Sequence, residues 1–315
     1  MSASDVLTFV LCIENNAIRS QALLLCESIR QFGGRHRDAP ILAVAPRPGL
    51  GIDGQARKQL DAMGVQYAEE PLNVVCPEYG SANRVFTAAW AEERARSEWI
   101  IVLDSDTVFL EELQLPAEAV AVRPVDTKGS ATEGPGDPFD DYWTRLAEIQ
   151  GVPLDDLPFV HTTDRGHRVR ASYNGGLVVV RRERGILRAW ADLFSRSVAA
   201  GLKPWRGSNL NVYASTGFVG TEASEYWGSN QAAAALAIWS ATKRVSLYSD
   251  SYDVPLHLLM GQPALATGPR TLPLVHVHYH WLFTEPYYER ALATLRELGA
   301  EGDRLDWLTA RLPLK

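Results

Sequence analysis

Five consecutive apolar residues, Trp99-Ile100-Ile101-Val102-Leu103, run straight into Asp104-Ser105-Asp106. A strand that is apolar at every position has neither face toward water, so it belongs inside a parallel sheet covered by helices on both sides. The preceding hundred residues agree. Val6–Ile13 is a continuous apolar run of strand length, and Ile18–Phe32 carries Ala22, Leu25, Cys26 and Ile29 at helical spacing before Gly33-Gly34. Ile41–Ala45 reads as a strand, Ala56–Met63 as a helix, Val65–Ala68 as a strand, and Ser81–Arg96 as an amphipathic helix. Strand–helix alternation of this kind predicts an α/β fold with a mostly parallel central sheet flanked by helices.

Beyond residue 104 the rhythm loosens. Ala119–Val122 and Leu177–Val180 read as strands, and Pro124–Pro138 as a long binding loop. Asp140–Gln150, Glu183–Ala200 and Asn230–Ala241 read as helices, the last with Ser229 as its expected cap. Arg244–Tyr248 and Leu274–Tyr279 are late strands, and two helices finish the chain. No repeat, low-complexity tract or linker divides it. With 315 residues, 46% of them hydrophobic, one large domain over 1–315 is expected. Its halves would be 1–123 for nucleotide binding and 124–315 for acceptor and metal.

Net charge −7 without a basic block argues against a general nucleic-acid binder. No apolar run approaches the roughly 20 residues of a membrane span, and no basic segment leads into a hydrophobic start. Cys12, Cys26 and Cys76 match no metal spacing and read as reduced thiols of a cytoplasmic protein.

In open α/β sheets ligands gather at the carboxyl ends of strands, where Asp104 and Asp106 lie. In extended geometry they project to one side, and a divalent cation between them would offset their repulsion. A simple turn after a strand is the alternative. His276, His278 and His280 alternate along the late strand and therefore share a face. Imidazole can complete a carboxylate site for Mn²⁺-like ions without adding charge; packing histidines are the alternative.

Placed in order, these segments resemble the GT-A glycosyltransferases, the Rossmann-like nucleotide-diphospho-sugar transferases. Within them the chain is similar to the branch of glycogenin and the bacterial lipopolysaccharide galactosyltransferases. The resemblance rests on Asn83-Arg84 opening a helix, Leu103-Asp104-Ser105-Asp106-Thr107-Val108 as the DxD strand, Tyr173-Asn174-Gly175-Gly176-Leu177-Val178-Val179, Trp227-Gly228-Ser229-Asn230-Gln231, and the histidine strand. It implies a nucleotide-sugar donor (a UDP-sugar), Mn²⁺ or Mg²⁺ as cofactor, an acceptor of unidentified class, and retention of configuration.

Residue by residue, the resemblance implies Asp104 and Asp106 as metal ligands, Asp104 also beside the ribose. The third ligand would be His278, then His280, then His276. Glu14, Asn15, Asn83, Arg84 and Ser105 would bind the nucleotide or pyrophosphate. Asn174, Gly175 and Gly176 would let backbone approach the donor sugar, with Gln231 and Asn230 at the reaction centre. Asn230 departs from the family's Asp, and no lysine follows the histidine strand as it does there. Were the reaction inverting, Glu222 or Glu225 could supply a base. Trp205, Trp227 and Trp281 are acceptor-platform candidates, whereas Trp90, Trp99, Trp190 and Trp239 read as packing. The loop Pro124–Arg170, with Asp126, Asp137, Asp140, Asp141 and Tyr142, would face the acceptor.

Two other readings stand beside this one. Asp104-Ser105-Asp106-Thr107-Val108 also fits haloacid-dehalogenase-type phosphatases, with Asp104 as nucleophile, Lys128 between motifs and Gly136–Asp141 as the late acidic element. Only about thirty residues separate those motifs, too few for the strand–helix units such enzymes place there. A non-catalytic nucleotide-sugar binder on the same fold is the other.

Overall fold

The computed structural model describes residues 6–215, 217–260 and 273–315. Its first half runs β1 (Leu7–Cys12), α1 (Ile18–Phe32), β2 (Ile41–Ala45), α2 (Gly54–Ala62), β3 (Gln66–Glu69), α3 (Asn83–Arg94), β4 (Trp99–Leu103), β5 (Thr107–Phe109) and β6 (Val120–Val122). Next come α4 (Asp140–Gln150), the hairpin β7 (Phe159–His161) and β8 (Arg168–Arg170), β9 (Leu177–Arg181) and α5 (Ile186–Ala199). A second hairpin, β10 (Val212–Ala214) and β11 (Gly217–Val219), leads to α6 (Thr221–Ser224), α7 (Ser229–Ala241) and β12 (Ser246–Leu247). The chain ends with β13 (Val254–Pro255), α8 (Leu256–Leu259), β14 (His276–His278), α9 (Tyr288–Glu297) and α10 (Asp303–Thr309).

Seven strands form the main sheet in the order β12-β6-β9-β4-β1-β2-β3. It is mainly parallel, with one exception. β9 runs antiparallel to both β4 and β6, which leaves β1, β2, β3, β4, β6 and β12 pointing the same way. Period-two alternation divides the core between the sheet's faces. Ile100, Val102, Val178 and Val180 pack with Val85, Ala88, Trp190, Phe194 and the alanines of α7. Trp99, Ile101, Leu103, Leu177 and Val179 pack with Leu25, Ile29 and Leu60 on the other face. The α/β expectation is thus met, with helices on both sides.

Local chemistry sets the helix ends. Asp53 caps α2 by accepting from Gln55 and Ala56 N–H at 2.9 and 2.8 Å. Gly33-Gly34 closes α1, with Gly34 left-handed (φ 55°). One expected cap differs: α7 starts from Gly228 (φ 85°) with Ser229 already inside the helix. All three cysteines are free and buried; burial pushes the Cys12 and Cys26 thiols up to about 12. Among the described residues no helix is long and apolar enough to cross a membrane.

What positions the site is a second, three-stranded sheet in the order β13-β14-β5. The chain leaves the main sheet at Leu103 and enters the small one at Thr107, so Asp104, Ser105 and Asp106 form the turn between sheets. β14 pairs antiparallel with β5, His278 opposite Thr107, and β13 pairs parallel with β14, Pro255 beside His278. A third cluster (Val108, Val277, Tyr279, Leu295, Leu305) fastens this sheet to α9 and α10.

Candidate active site

A cavity of about 560 Å³ opens at the carboxyl edge of the main sheet, within the ordinary size range of ligand sites. Four co-directional strands deliver residues to it as they end: Glu14 after β1, Arg47 after β2, Asp104–Asp106 after β4 and Asp126 after β6. This is where an open α/β sheet leaves a crevice. Asn83, Arg84, Lys128, Ser215, Asn230, Gln231, His257, His278 and His280 also line it.

The two aspartates have different partners. Asp106 receives His278 Nε2 at 3.3 Å and His280 Nδ1 at 3.4 Å, and the Ser215 hydroxyl donates to it. Asp106, His278 and His280 bring one donor atom each within 4.8 Å of one another, a carboxylate and two imidazoles fit to hold a divalent cation. A second group, Asp126, His257 and His280, shares His280. Asp104 instead forms an ion pair with Arg84 and stands 3.9 Å from His278 Nε2. Ser105 turns inward, its hydroxyl donating to the Cys12 carbonyl at 2.5 Å, which anchors the turn to the end of β1.

Electrostatics follow from burial and these pairings. Burial alone would raise the Asp106 carboxyl, but His278 and His280 hold it well below the usual carboxylate range. Burial raises Asp104 above its ordinary value even against Arg84. Burial would lower His278, yet Asp106 on one side and Asp253 on the other hold it well above the ordinary imidazole value. His280 is lowered by burial and by His278, and burial takes His257 down to about 3. Asp126 is pushed up to about 7 by burial and by Asp253.

Glu14, fully buried, accepts from Arg47 Nε at 2.8 Å and Asn83 Nδ2 at 3.2 Å. The sequence therefore placed Glu14, Asn83, Arg84, Ser105, Asn230 and Gln231 around one cavity with the acidic pair and two of the histidines. Asn230 is held there by the Tyr79 hydroxyl, which donates to its Oδ1 at 2.8 Å. Other expected residues lie elsewhere. Asn15 is exposed, accepts from Arg19 at 2.9 Å and lies outside the cavity lining. Glu225 also lies outside it, bound by Lys203 Nζ at 2.7 Å and Gly207 N at 2.6 Å. His276 packs on Phe109, ring centroids 4.6 Å apart, and burial lowers it to about 4.

Gly175 and Gly176 are closely approached by side chains of the site itself. A Cβ on Gly175 would stand 2.5 Å from Arg84 Nη2, and one on Gly176 would stand 2.7 Å from His278 Nδ1 and overlap the Asp253 carboxylate. These glycines make room for the site's own side chains. Trp227 and Trp281 line the cavity, whereas Trp205 sits edge-on to Phe139 at 4.7 Å. Of the long loop, Val125–Ala131 face the cavity. Asp137 is instead bound by Lys128 Nζ at 2.8 Å, and Tyr142 is buried in the core.

Sequence reasoning missed Arg47, Lys128 as a cavity residue, Ser215, Asp253 and His257. For Arg47 a signal existed: it follows a strand parallel to β4, as do Glu14 and Asp126. The others arrive through pairings between distant segments.

The profile of the Rhodobacterales glycosyltransferase domain matches residues 9–204, well over half of the chain and all of the seven-stranded sheet except β12 and the first two residues of β1. The chain belongs to this glycosyltransferase family. No curated protein matches it. The enzyme's matched segment carries Glu14, Arg47, Arg84, Asp104, Asp106 and Asp126, while the cavity's histidines, His257, His278 and His280, come from outside it.

Proposed function

We propose that this transferase is a GT-A-type, metal-dependent enzyme of one catalytic domain. In this reading it moves a sugar from a UDP-sugar donor to an acceptor with retention, as in the branch that includes glycogenin. One observation carries the metal dependence. Five acidic side chains line the cavity (Glu14, Glu78, Asp104, Asp106, Asp126) against four cations (Arg47, Arg84, Lys128 and the His278 imidazolium, whose proton a metal would replace). A diphosphate entering a surplus of negative charge is repelled unless a cation accompanies it. Asp106, His278 and His280 are the residues that would hold Mn²⁺ or Mg²⁺, with Asp104 beside them. When bound, the ion supplies Lewis-acid neutralisation of the leaving diphosphate.

The chain's own groups do the rest. Arg84, buried against Gly175 and paired with Asp104, directs donors toward the diphosphate while keeping its carboxylate partner. Glu14, fixed by Arg47 and Asn83, offers its edge to the nucleoside. Gln231 and Asn230, in the first turn of α7, face the sugar. Retention is what the resemblance implies; Glu222 and Glu225, the bases considered for an inverting reaction, do not line the cavity.

A thermal-shift panel of nucleotide sugars with and without Mn²⁺ tests the reading. UDP-sugars should stabilise the wild type only with the metal, and Asp106→Asn should abolish that response. Metal-independent stabilisation, or none with any nucleotide, would overturn it.

A further inference from the structure

We infer that Asp253 is a positioning residue for His278, gripping its imidazole at Nδ1 so that Nε2 faces Asp106 and the cavity. This rests on the metal reading above and adds a residue to it. Asp253 is 1% exposed, and its Oδ1 lies 3.3 Å from His278 Nδ1, while Nε2 of the same ring lies 3.3 Å from Asp106. The imidazole is thus sandwiched between two carboxylates, one inside the cavity and one behind it.

Three features show that the fold is arranged around this contact. Asp253 adopts φ 47°, a left-handed conformation uncommon outside glycine, though aspartate tolerates it better than most. It immediately precedes β13, whose parallel pairing with β14 fixes Val254 beside Val277 and Pro255 beside His278. Gly176 leaves the space that the carboxylate fills. Among the described residues, neither Asp253 oxygen accepts a hydrogen bond from a backbone amide, hydroxyl or guanidinium. His276 Nδ1, at 3.9 Å, is its other imidazole neighbour. A buried carboxylate without capping or guanidinium bonds is costly to keep for packing alone. Its contacts are imidazoles, as expected of an outer carboxylate that sets the tautomer and ring orientation of a metal-binding histidine.

The test compares wild type, Asp253→Asn and Asp106→Asn by calorimetric titration with Mn²⁺. Asparagine also tolerates positive φ and keeps the side chain's shape, so Asp253→Asn should retain the apo melting temperature. Its Mn²⁺ dissociation constant should rise about 10–100-fold. In ¹⁵N-histidine spectra of the Zn²⁺-loaded proteins, wild-type His278 should show Nδ1–H with a metal-bound Nε2. Asp253→Asn should lose that single signature, which a purely structural role would leave unchanged. Wild-type affinity and an unaltered His278 signature in Asp253→Asn, with binding lost in Asp106→Asn, would overturn the inference and leave the metal reading intact. No Mn²⁺ binding by the wild type would remove both.

Discussion

Replacing Gly176 by alanine tests how tightly the second sheet and the catalytic edge are fitted together. The residue's backbone is one that any side chain can adopt, so the cost is steric. The new methyl would overlap an Asp253 oxygen and stand 2.9 Å from its Cγ and 2.7 Å from His278 Nδ1. Carbon contacts are comfortable at about 3.5–4.0 Å, and the oxygen overlaps more deeply than the Cγ, so the carboxylate must retreat by roughly 1 Å or more. It has nowhere to go, being fully buried and fixed by the β13–β14 pairing. Overpacking of this kind costs about 1–3 kcal/mol. At about 2–4 °C per kcal/mol, the melting temperature should fall by roughly 2–12 °C, toward the lower end for a chain this long. Because the displaced group grips His278, Mn²⁺ affinity should fall as well, by about tenfold or more. Gly54→Ala is the control: it opens α2, and its added Cβ meets nothing within 4 Å. Differential scanning fluorimetry and Mn²⁺ titration read both effects. A Gly176→Ala protein that matches Gly54→Ala in melting temperature and affinity would refute the reasoning.

Divalent-cation binding should depend steeply on pH. His278 is held protonated well above the ordinary imidazole value by Asp106 and Asp253, so below that raised value each ion must displace one proton. The apparent dissociation constant should fall about tenfold per unit as pH rises between about 5.5 and 8, with one proton released per ion in calorimetry; a flat profile would contradict the sandwich. Arg84→Met strands the Asp104 carboxylate in a buried site and should cost about 3 kcal/mol in urea unfolding, the low end for a broken buried pair because Asp104 is 25% exposed. Adding Asp104→Asn should restore part of that stability, and a strictly additive double variant would show that the pair is not coupled.

How much of this was legible in the sequence depended on distance along the chain. β4 and its aspartates could be read because burial and position both lie within eight residues. The helix opened by Asn83 and Arg84 and the strands β1, β2 and β9 showed their own periodicity. Gly175 and Gly176 were legible as a close approach, but what approaches is Arg84 and Asp253, since the sequence carries no sign of which side chain folds back. The small sheet was legible only in part: β14 lies within the strand read at Leu274–Tyr279, but β5 and β13 are three and two residues long, too short for a period to register. Its pairing of Thr107 with His278 joins segments more than a hundred residues apart. That register sets Asp253 behind His278, a partner the sequence could not assign, although His278 and His280 were themselves legible as candidate ligands beside Asp106. Asn15 and Glu225 failed for the opposite reason. Each is a sequence neighbour of a cavity segment, yet the chain turns each to an outside partner, Arg19 and Lys203.

Most charges of the cavity have a fixed partner: Glu14 with Arg47, Asp104 with Arg84 and His278 with Asp106 inside it, and Lys128 with Asp137 outside it. Pairing serves a transferase in two ways. It keeps a long cation such as Arg84 oriented before the substrate arrives, so little reorganisation is left for the moment when charge develops. It also sets the order of exchange. A guanidinium has five donors and can meet a phosphate without leaving its carboxylate, and Arg84 Nε has no hydrogen-bond partner here. The imidazolium of His278 has no such reserve, because each of its nitrogens already faces a carboxylate. Under the proposed function a divalent cation would therefore take the proton's place on His278, while a diphosphate would add to Arg84 without displacing anything. Metal before donor is the sequence of binding that this charge arrangement favours, since the ion removes the repulsion that the donor would otherwise meet.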